Sequence, residues 1–292
     1  MLLEVSHLRI AFCVDGTLSV PVRDVSFSVP EKGRVALVGE SGCGKSLTSL
    51  ALGGLVDRAE ISGSMSGSPR ISYVFQNPMQ SLNPVMRVGR QIDEAVHGPQ
   101  RNSRAGLSEL RSSLLVSVGL PPETARKYPC QLSGGQQQRV MIAMALAAEP
   151  DLLIADEPTT ALDVTTQKEV LDLIDRVARE RATAVLLITH NLGLVAQYSD
   201  YVNVMYAGEI VESGPVPAVL SNPRHPYTQG LLAAVPRLDA PKDAPLQDIP
   251  GTVPPPTDWP TGCAFHPRCP NALPECSSPD FSTCRMLRQQ CS

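Results

Sequence analysis

Eight consecutive residues, Gly39-Glu40-Ser41-Gly42-Cys43-Gly44-Lys45-Ser46, fit the pattern G-x-x-x-x-G-K-[ST]. Glycines at these spacings let the backbone curl until successive N–H groups face one anion, while the lysine reaches the outer phosphates of a nucleotide. Ser46 adds a hydroxyl suited to magnesium. Farther on, Leu152-Leu-Ile-Ala-Asp156-Glu157 places two carboxylates at the end of an apolar run. Asp156 suits a water on magnesium. Glu157, pointing the opposite way in an extended chain, suits polarising a water for attack. Gln76, after Ile71-Ser-Tyr-Val-Phe75, and His190, after the apolar run 184–188, are also polar residues delivered from strand ends. Gln76 could reach a metal-bound water or phosphate, and His190 could hold the attacking water. Taken singly, a glutamine there is a turn residue and a histidine a structural one. Their convergence on one sheet edge is what argues for chemistry.

Leu132-Ser133-Gly134-Gly135-Gln136 is a second place where an anion could meet a helix N-terminus, with Ser133 at the cap and glycines permitting close approach. One loop already cradles the phosphates of one nucleotide. The second is therefore expected to close over a nucleotide held by another protomer, with Asp163 of Thr159-Thr-Ala-Leu-Asp163 at the boundary between the two.

These residues need a strand-and-helix frame. Arg34–Val38 is a short apolar run of the buried-strand kind, followed by a helix opened by Lys45 and Ser46 and running to about Leu55. Ahead of it, 2–14 and 22–29 alternate apolar and polar residues and predict an antiparallel strand pair. Phe12, in the first of these, either stacks on an adenine or belongs to the core. Residues 62–69 read as a loop. From Asn77 to about Cys130 the pattern turns helical and more polar, which predicts a helical subdomain over about 77–133.

At 292 residues, with 42% hydrophobic and 18% charged residues, the chain has the composition of an ordinary globular protein. A net charge of −4 gives no electrostatic case for nucleic acid. The longest apolar runs, such as 140–148, fall far short of the ~20 residues of a membrane-spanning helix. The N-terminus, with Glu4, His7 and Arg9, is unlike a signal peptide, so the cytosol is expected.

In their order and spacing these segments resemble the ATPase subunits of ABC transporters over residues 1–235: Walker A (39–46), Q-loop (Gln76), signature (132–136), Walker B (152–157), D-loop (161–163) and switch histidine (His190). The resemblance implies an α/β P-loop domain with an antiparallel β edge and an inserted helical subdomain. It also implies ATP and magnesium as cofactors, with Ser46, Gln76 and Asp156 as magnesium-side residues and Phe12 as the adenine-facing aromatic. Residues 75–84, 156–164 and 224–232 narrow the resemblance to the dipeptide, oligopeptide and nickel importer branch. That branch implies peptide import, with nickel as the alternative. It further implies a paralogous second ATPase subunit, two transmembrane permease subunits, and a periplasmic or lipoprotein solute-binding protein. The chain would then lie peripherally on the cytoplasmic face of the cell membrane. Two rival readings are a soluble clamp acting on nucleic acid or ribosomes and a regulatory protein that does not hydrolyse ATP. The first usually carries tandem ATPase domains or long heptad insertions, and neither is present. The second conflicts with Glu157 and His190 occurring together.

From Pro236 to Pro260 eight prolines predict an extended linker. Five of the eight cysteines then follow, at 263, 269, 276, 284 and 291. Such clustering points to a metal site, although the wide intervals differ from those of structural zinc sites. The segment resembles the C-terminal extension of peptide-importer ATPases, which implies a [4Fe–4S] cluster on Cys263, Cys269, Cys276 and Cys291, with Cys284 as a spare. Cys43, inside the phosphate loop, is expected to make it sensitive to oxidation.

Overall fold

The structure, a computed structural model, describes residues 1–160, 163–235, 248–278 and 284. Strands β1 (Leu3–Val14) and β2 (Thr17–Val29) are joined by Asp15-Gly16, both at positive φ (49° and 77°). That pair of dihedrals makes the primed turn whose twist matches right-handed strands, and Asp-Gly is a favoured sequence for it. β3 (Arg34–Val38), buried along its whole length, leads through the glycine-rich loop into α1 (Lys45–Leu52). β4 (Glu60–Ser66) and β5 (Ile71–Val74) follow. Between Gln76 and Ser133 the regular elements are all helical: α2 (Pro78–Ser81), α3 (Val88–Ala95), α4 (Arg104–Ser117) and short 3₁₀ turns. The chain continues through α5 (Gly134–Ala147), β6 (Leu152–Asp156), α6 (Val164–Glu180), β7 (Ala184–Thr189) and α7 (Leu192–Tyr198). β8 (Tyr201–Tyr206), β9 (Glu209–Pro215), α8 (Val216–Ser221) and α9 (Pro226–Ala233) follow, and the described residues beyond them include the 3₁₀ turns His266–Arg268 and Pro274–Ser277.

These elements form two compact units. The first comprises Met1–Leu2, Val29–Arg34 and Gly67–Leu187, and the second Leu3–Ser28, Val35–Ser66 and the described residues from Ile188 onward. In the first, β6 lies between β5 and β7 and runs parallel to β5, with Ile71 opposite Leu152 and Val74 opposite Ala155. β6 and β7 are nearly continuous apolar, buried runs, the pattern of strands enclosed within a sheet rather than half exposed. α5 and α6 add Val140, Ile142, Leu146, Val170, Leu173 and Val177 to the core of this unit, all buried. Each such aliphatic side chain contributes roughly 1.5–3 kcal/mol. The buried Arg34 is tied to α6, donating Nε to Asp175 Oδ1 at 2.6 Å.

The second unit has the strand order β4-β1-β2-β9-β8-β3. β3 runs parallel to β8, and β8 and β9 form a hairpin turned by Ala207-Gly208, again both at positive φ. β4 corrects the expectation of a loop over 62–69. All seven of its residues are exposed, so it carries no apolar alternation to betray it, and it exists because β1 offers an edge for antiparallel pairing from Glu4↔Ser66 to Ala11↔Glu60.

Candidate nucleotide-binding site

In the second unit the loop from Gly39 to Ser46 has the shape that phosphate binding requires. Gly42 and Gly44 stand at φ of 85° and 97°, and Gly44 is the N-cap of α1. A Cβ on Gly44 would lie 2.6 Å from the Pro21 carbonyl oxygen, so both conformation and space demand glycine there. The buried Lys45 curls back over the loop and donates Nζ to the Gly39 carbonyl at 2.8 Å and the Glu40 carbonyl at 2.9 Å. Ser41, Gly42 and Ser46 face solvent. This places an ammonium, a helix N-terminus and the exposed rim of the loop together, which is an anion site by construction.

Two residues that the sequence reading missed complete the loop's surroundings. Tyr227 in α9 is fully buried, and its hydroxyl accepts the Glu40 N–H at 2.8 Å. Burial pushes its ionisation far above the usual tyrosine range. Arg268, in the C-terminal segment, donates to both oxygens of Glu40. His225 caps α9, accepting the Tyr227 N–H at Nδ1. Burial holds it down to about 4 against the opposing pull of Glu212, so it is neutral. Tyr227 and His225 lie in the 224–232 stretch, and Arg268 among the cysteines, so both segments were noticed. What their side chains touch was not readable from local pattern.

Cys43 is fully buried, and that burial raises its thiol above the ordinary value despite nearby Lys45. A protonated, inaccessible thiol is inert, which corrects the expectation of oxidation sensitivity. Phe12 lies within β1 and is half-buried. His190 is exposed directly after β7.

The first unit holds the carboxylates. β6 ends on Asp156, which is half-buried, and the chain then turns sharply: Glu157 has φ of 42°. The expectation that extended alternation aims Glu157 is therefore corrected, because a left-handed residue at the strand end sets its direction instead. Non-glycine residues in that region cost of the order of 1–3 kcal/mol and cluster at functional sites. The Glu157 carboxylate accepts from Gln76 Nε2 at 3.3 Å and from Thr160 Oγ1 at 2.9 Å. Gln76 and Glu157, far apart in sequence, thus meet.

Ser133 is the N-cap of α5, in a reciprocal capping box with Gln136: Ser133 Oγ accepts the Gln136 N–H, and Gln136 Oε1 accepts the Ser133 N–H. Gly134 opens the helix. A Cβ on Gly135 would lie 2.9 Å from the Thr166 methyl, so this glycine also serves the packing of α5 on α6. Asp163 is exposed and caps α6 through Thr166, which lowers its pKa. Ala161 and Leu162 lie outside the described residues.

The cysteine expectation fares differently. Among the described residues no group of three or more His, Cys, Asp or Glu is placed to hold a metal ion. Among the described residues Cys263, Cys269 and Cys276 are thus not gathered as a ligand group, and Cys291 lies outside the described residues. Backbone bonding joins Cys263 and Cys276, N–H to carbonyl at 2.8 Å. Burial, and then the charges of Cys284, Cys276 and Cys269, push the Cys263 thiol up to about 11.

Residues 22–160 match the family model of the ABC transporter, and residues 211–276 that of the oligopeptide/dipeptide transporter C-terminal region. A chain of Brucella abortus (strain 2308), named a peptide import ATP-binding protein, is 43% identical over 306 positions, covering 95% of this chain and 90% of that one. The dipeptide transport ATP-binding protein DppD of Bacillus subtilis (strain 168) is 43% identical, covering 94% and 88%. Among solved structures, the ATP-binding cassette MJ0796 bound to ADP and Pi has a TM-score of 0.65 at 24% identity, covering 74% of this chain and 99% of that one. The cbiO1 protein of Clostridium perfringens, part of the ABC transporter complex cbiONQ, has a TM-score of 0.65 at 25% identity, covering 76% and 91%. The folds agree. With the phosphate loop built as described, and relatives this similar across nearly the whole length, the chain belongs to the ATP-binding proteins of ABC transporters that carry the oligopeptide/dipeptide transporter C-terminal region.

Proposed function

We propose that this chain binds MgATP and hydrolyses it to power the import of peptides through a membrane complex. The observation that carries hydrolysis is the Glu157 carboxylate, aimed by a strained backbone and held by Gln76 and Thr160. Lys45 and the loop amides stabilise charge on the transferring phosphoryl group, which is where electrostatic preorganisation gives most. Ser46 and Asp156 offer the hard oxygen donors that fit magnesium, with Gln76 at its water shell. When bound, that ion neutralises phosphate charge. Glu157 takes the proton of the attacking water, and His190 orients it. Ser133, Gly134 and Gly135 of a second ATPase subunit close over the nucleotide, and Asp163 lies at the boundary.

The second subunit is a paralogue, and the pair engages two permease subunits served by a solute-binding protein. Among the described residues no helix is long and apolar enough to cross a membrane. Membrane association therefore runs through those partners, at the helical segment and the loop after Gln76, where Met79 and Val85 are strongly exposed.

The Glu157→Gln variant tests the chemistry. It should bind MgATP within about twofold of the parent while turnover falls at least ~100-fold, the usual worth of a general base. Near-normal hydrolysis would contradict the assignment.

A [4Fe–4S] cluster on Cys263, Cys269, Cys276 and Cys291, with Cys284 as the spare thiol, is supported by the match of residues 211–276 to the oligopeptide/dipeptide transporter C-terminal region and by the backbone bond that joins Cys263 to Cys276. Anaerobically purified protein should contain about four iron per chain, and Cys263→Ser, Cys269→Ser or Cys276→Ser should lower that count. Stoichiometric zinc would rule the cluster out.

A further inference from the structure

Glu40 puts a carboxylate in a loop that must receive a polyphosphate, and so adds negative charge near the anion. The structure answers that charge from the C-terminal segment. Arg268, in the 3₁₀ turn His266–Arg268, donates Nη1 to Glu40 Oε2 at 2.7 Å and Nη2 to Glu40 Oε1 at 3.0 Å, the parallel two-bond geometry of the strongest charged pairs. Its side chain is only 4% exposed. The guanidinium has no freedom to wander: Nε donates to the Pro250 carbonyl at 2.9 Å, Nη2 to the Ile249 carbonyl at 3.2 Å, and the group lies over the Tyr206 ring. Glu40 is fixed through its other groups as well. Its N–H donates to the Tyr227 hydroxyl, and its carbonyl accepts from Lys45 Nζ, the group that meets phosphate.

We propose that Arg268 is a positioning residue of the phosphate loop: it neutralises and anchors Glu40, and so makes the C-terminal segment part of the nucleotide site. The inference deepens the MgATP reading and rests on it. Loss of the guanidinium leaves a carboxylate free to repel the incoming phosphates and to drag the main chain that Lys45 holds. In a partly buried setting a like-charge interaction of this kind is poorly screened. The effect falls on binding, because neither residue touches the attacking water.

The test measures MgATP affinity by calorimetry on the full chain, and KM and kcat for ATP on the assembled ATPase pair. Arg268→Ala should weaken MgATP binding about tenfold and raise KM in step, with kcat within twofold. Arg268→Lys, which keeps the charge and loses the fork, should weaken it about threefold. Adding Glu40→Gln to either variant should restore most of the affinity, because it removes the charge that Arg268 answers. A purely structural role would move the melting temperature and give no such rescue. Should Arg268→Ala fail to fold, the lysine variant with and without Glu40→Gln decides the matter. Parental affinity in the Arg268 variants, or a loss that Glu40→Gln does not relieve, would overturn the inference. Parental protein that binds no MgATP would overturn the nucleotide reading itself, and the inference with it.

Discussion

At the residue scale, Gly44 and His225 show how backbone conformation and burial bear on the phosphate loop and its surroundings. Gly44 combines φ of 97° with a neighbouring carbonyl where a Cβ would stand. Gly44→Ala should therefore destabilise the fold by about 1–3 kcal/mol, read as a shift in the urea midpoint, and abolish detectable MgATP binding. His225 governs a pH response. Folded, it is held neutral by burial down to about 4, whereas unfolded it protonates near its ordinary value of 6.5. Below pH 6.5 the unfolded chain binds a proton that the folded chain refuses, so stability contributed above that value is lost progressively as pH falls toward 4. Linkage puts the total at roughly 3 kcal/mol. Urea unfolding at pH 7 and pH 4.5 should show this decline, and His225→Gln should flatten it. An unchanged slope in the variant would assign the decline to other groups.

At the element scale, helix caps and functional residues coincide. Ser133 caps α5 with Gln136, and Asp163 caps α6, so each has a structural duty beside its proposed role at the protomer boundary. The two duties separate by substitution. Ser133→Ala should cost about 1 kcal/mol, and Ser133→Asp, an equally good cap, should keep the parental melting temperature. If Ser133 also meets a phosphate of the partner's nucleotide, Ser133→Asp should nonetheless lose most ATP hydrolysis. Full activity in that variant would leave Ser133 a cap and nothing more.

The phosphate loop, α5 and β6 were legible because strand, glycine punctuation and helix cap all lie within a dozen residues of one another. β4 was not, since an exposed polar strand is specified by its partner β1 rather than by its own pattern. The direction of Glu157 was misread because alternation holds only while a strand continues, and β6 stops one residue earlier. Arg268 on Glu40 spans 228 positions, beyond any local signal.

At the scale of the whole molecule, the residues proposed for the reaction divide between the two compact units. The phosphate loop, His190 and the C-terminal segment belong to the second, and Gln76, Ser133, Asp156, Glu157 and Asp163 to the first. The most direct test is uptake of labelled dipeptides, longer peptides and nickel by cells of the source organism carrying Glu157→Gln, compared with the parent strain. Loss of peptide uptake with nickel uptake intact is the predicted result. Undiminished peptide uptake, in cells producing the variant at parental level, would contradict the account.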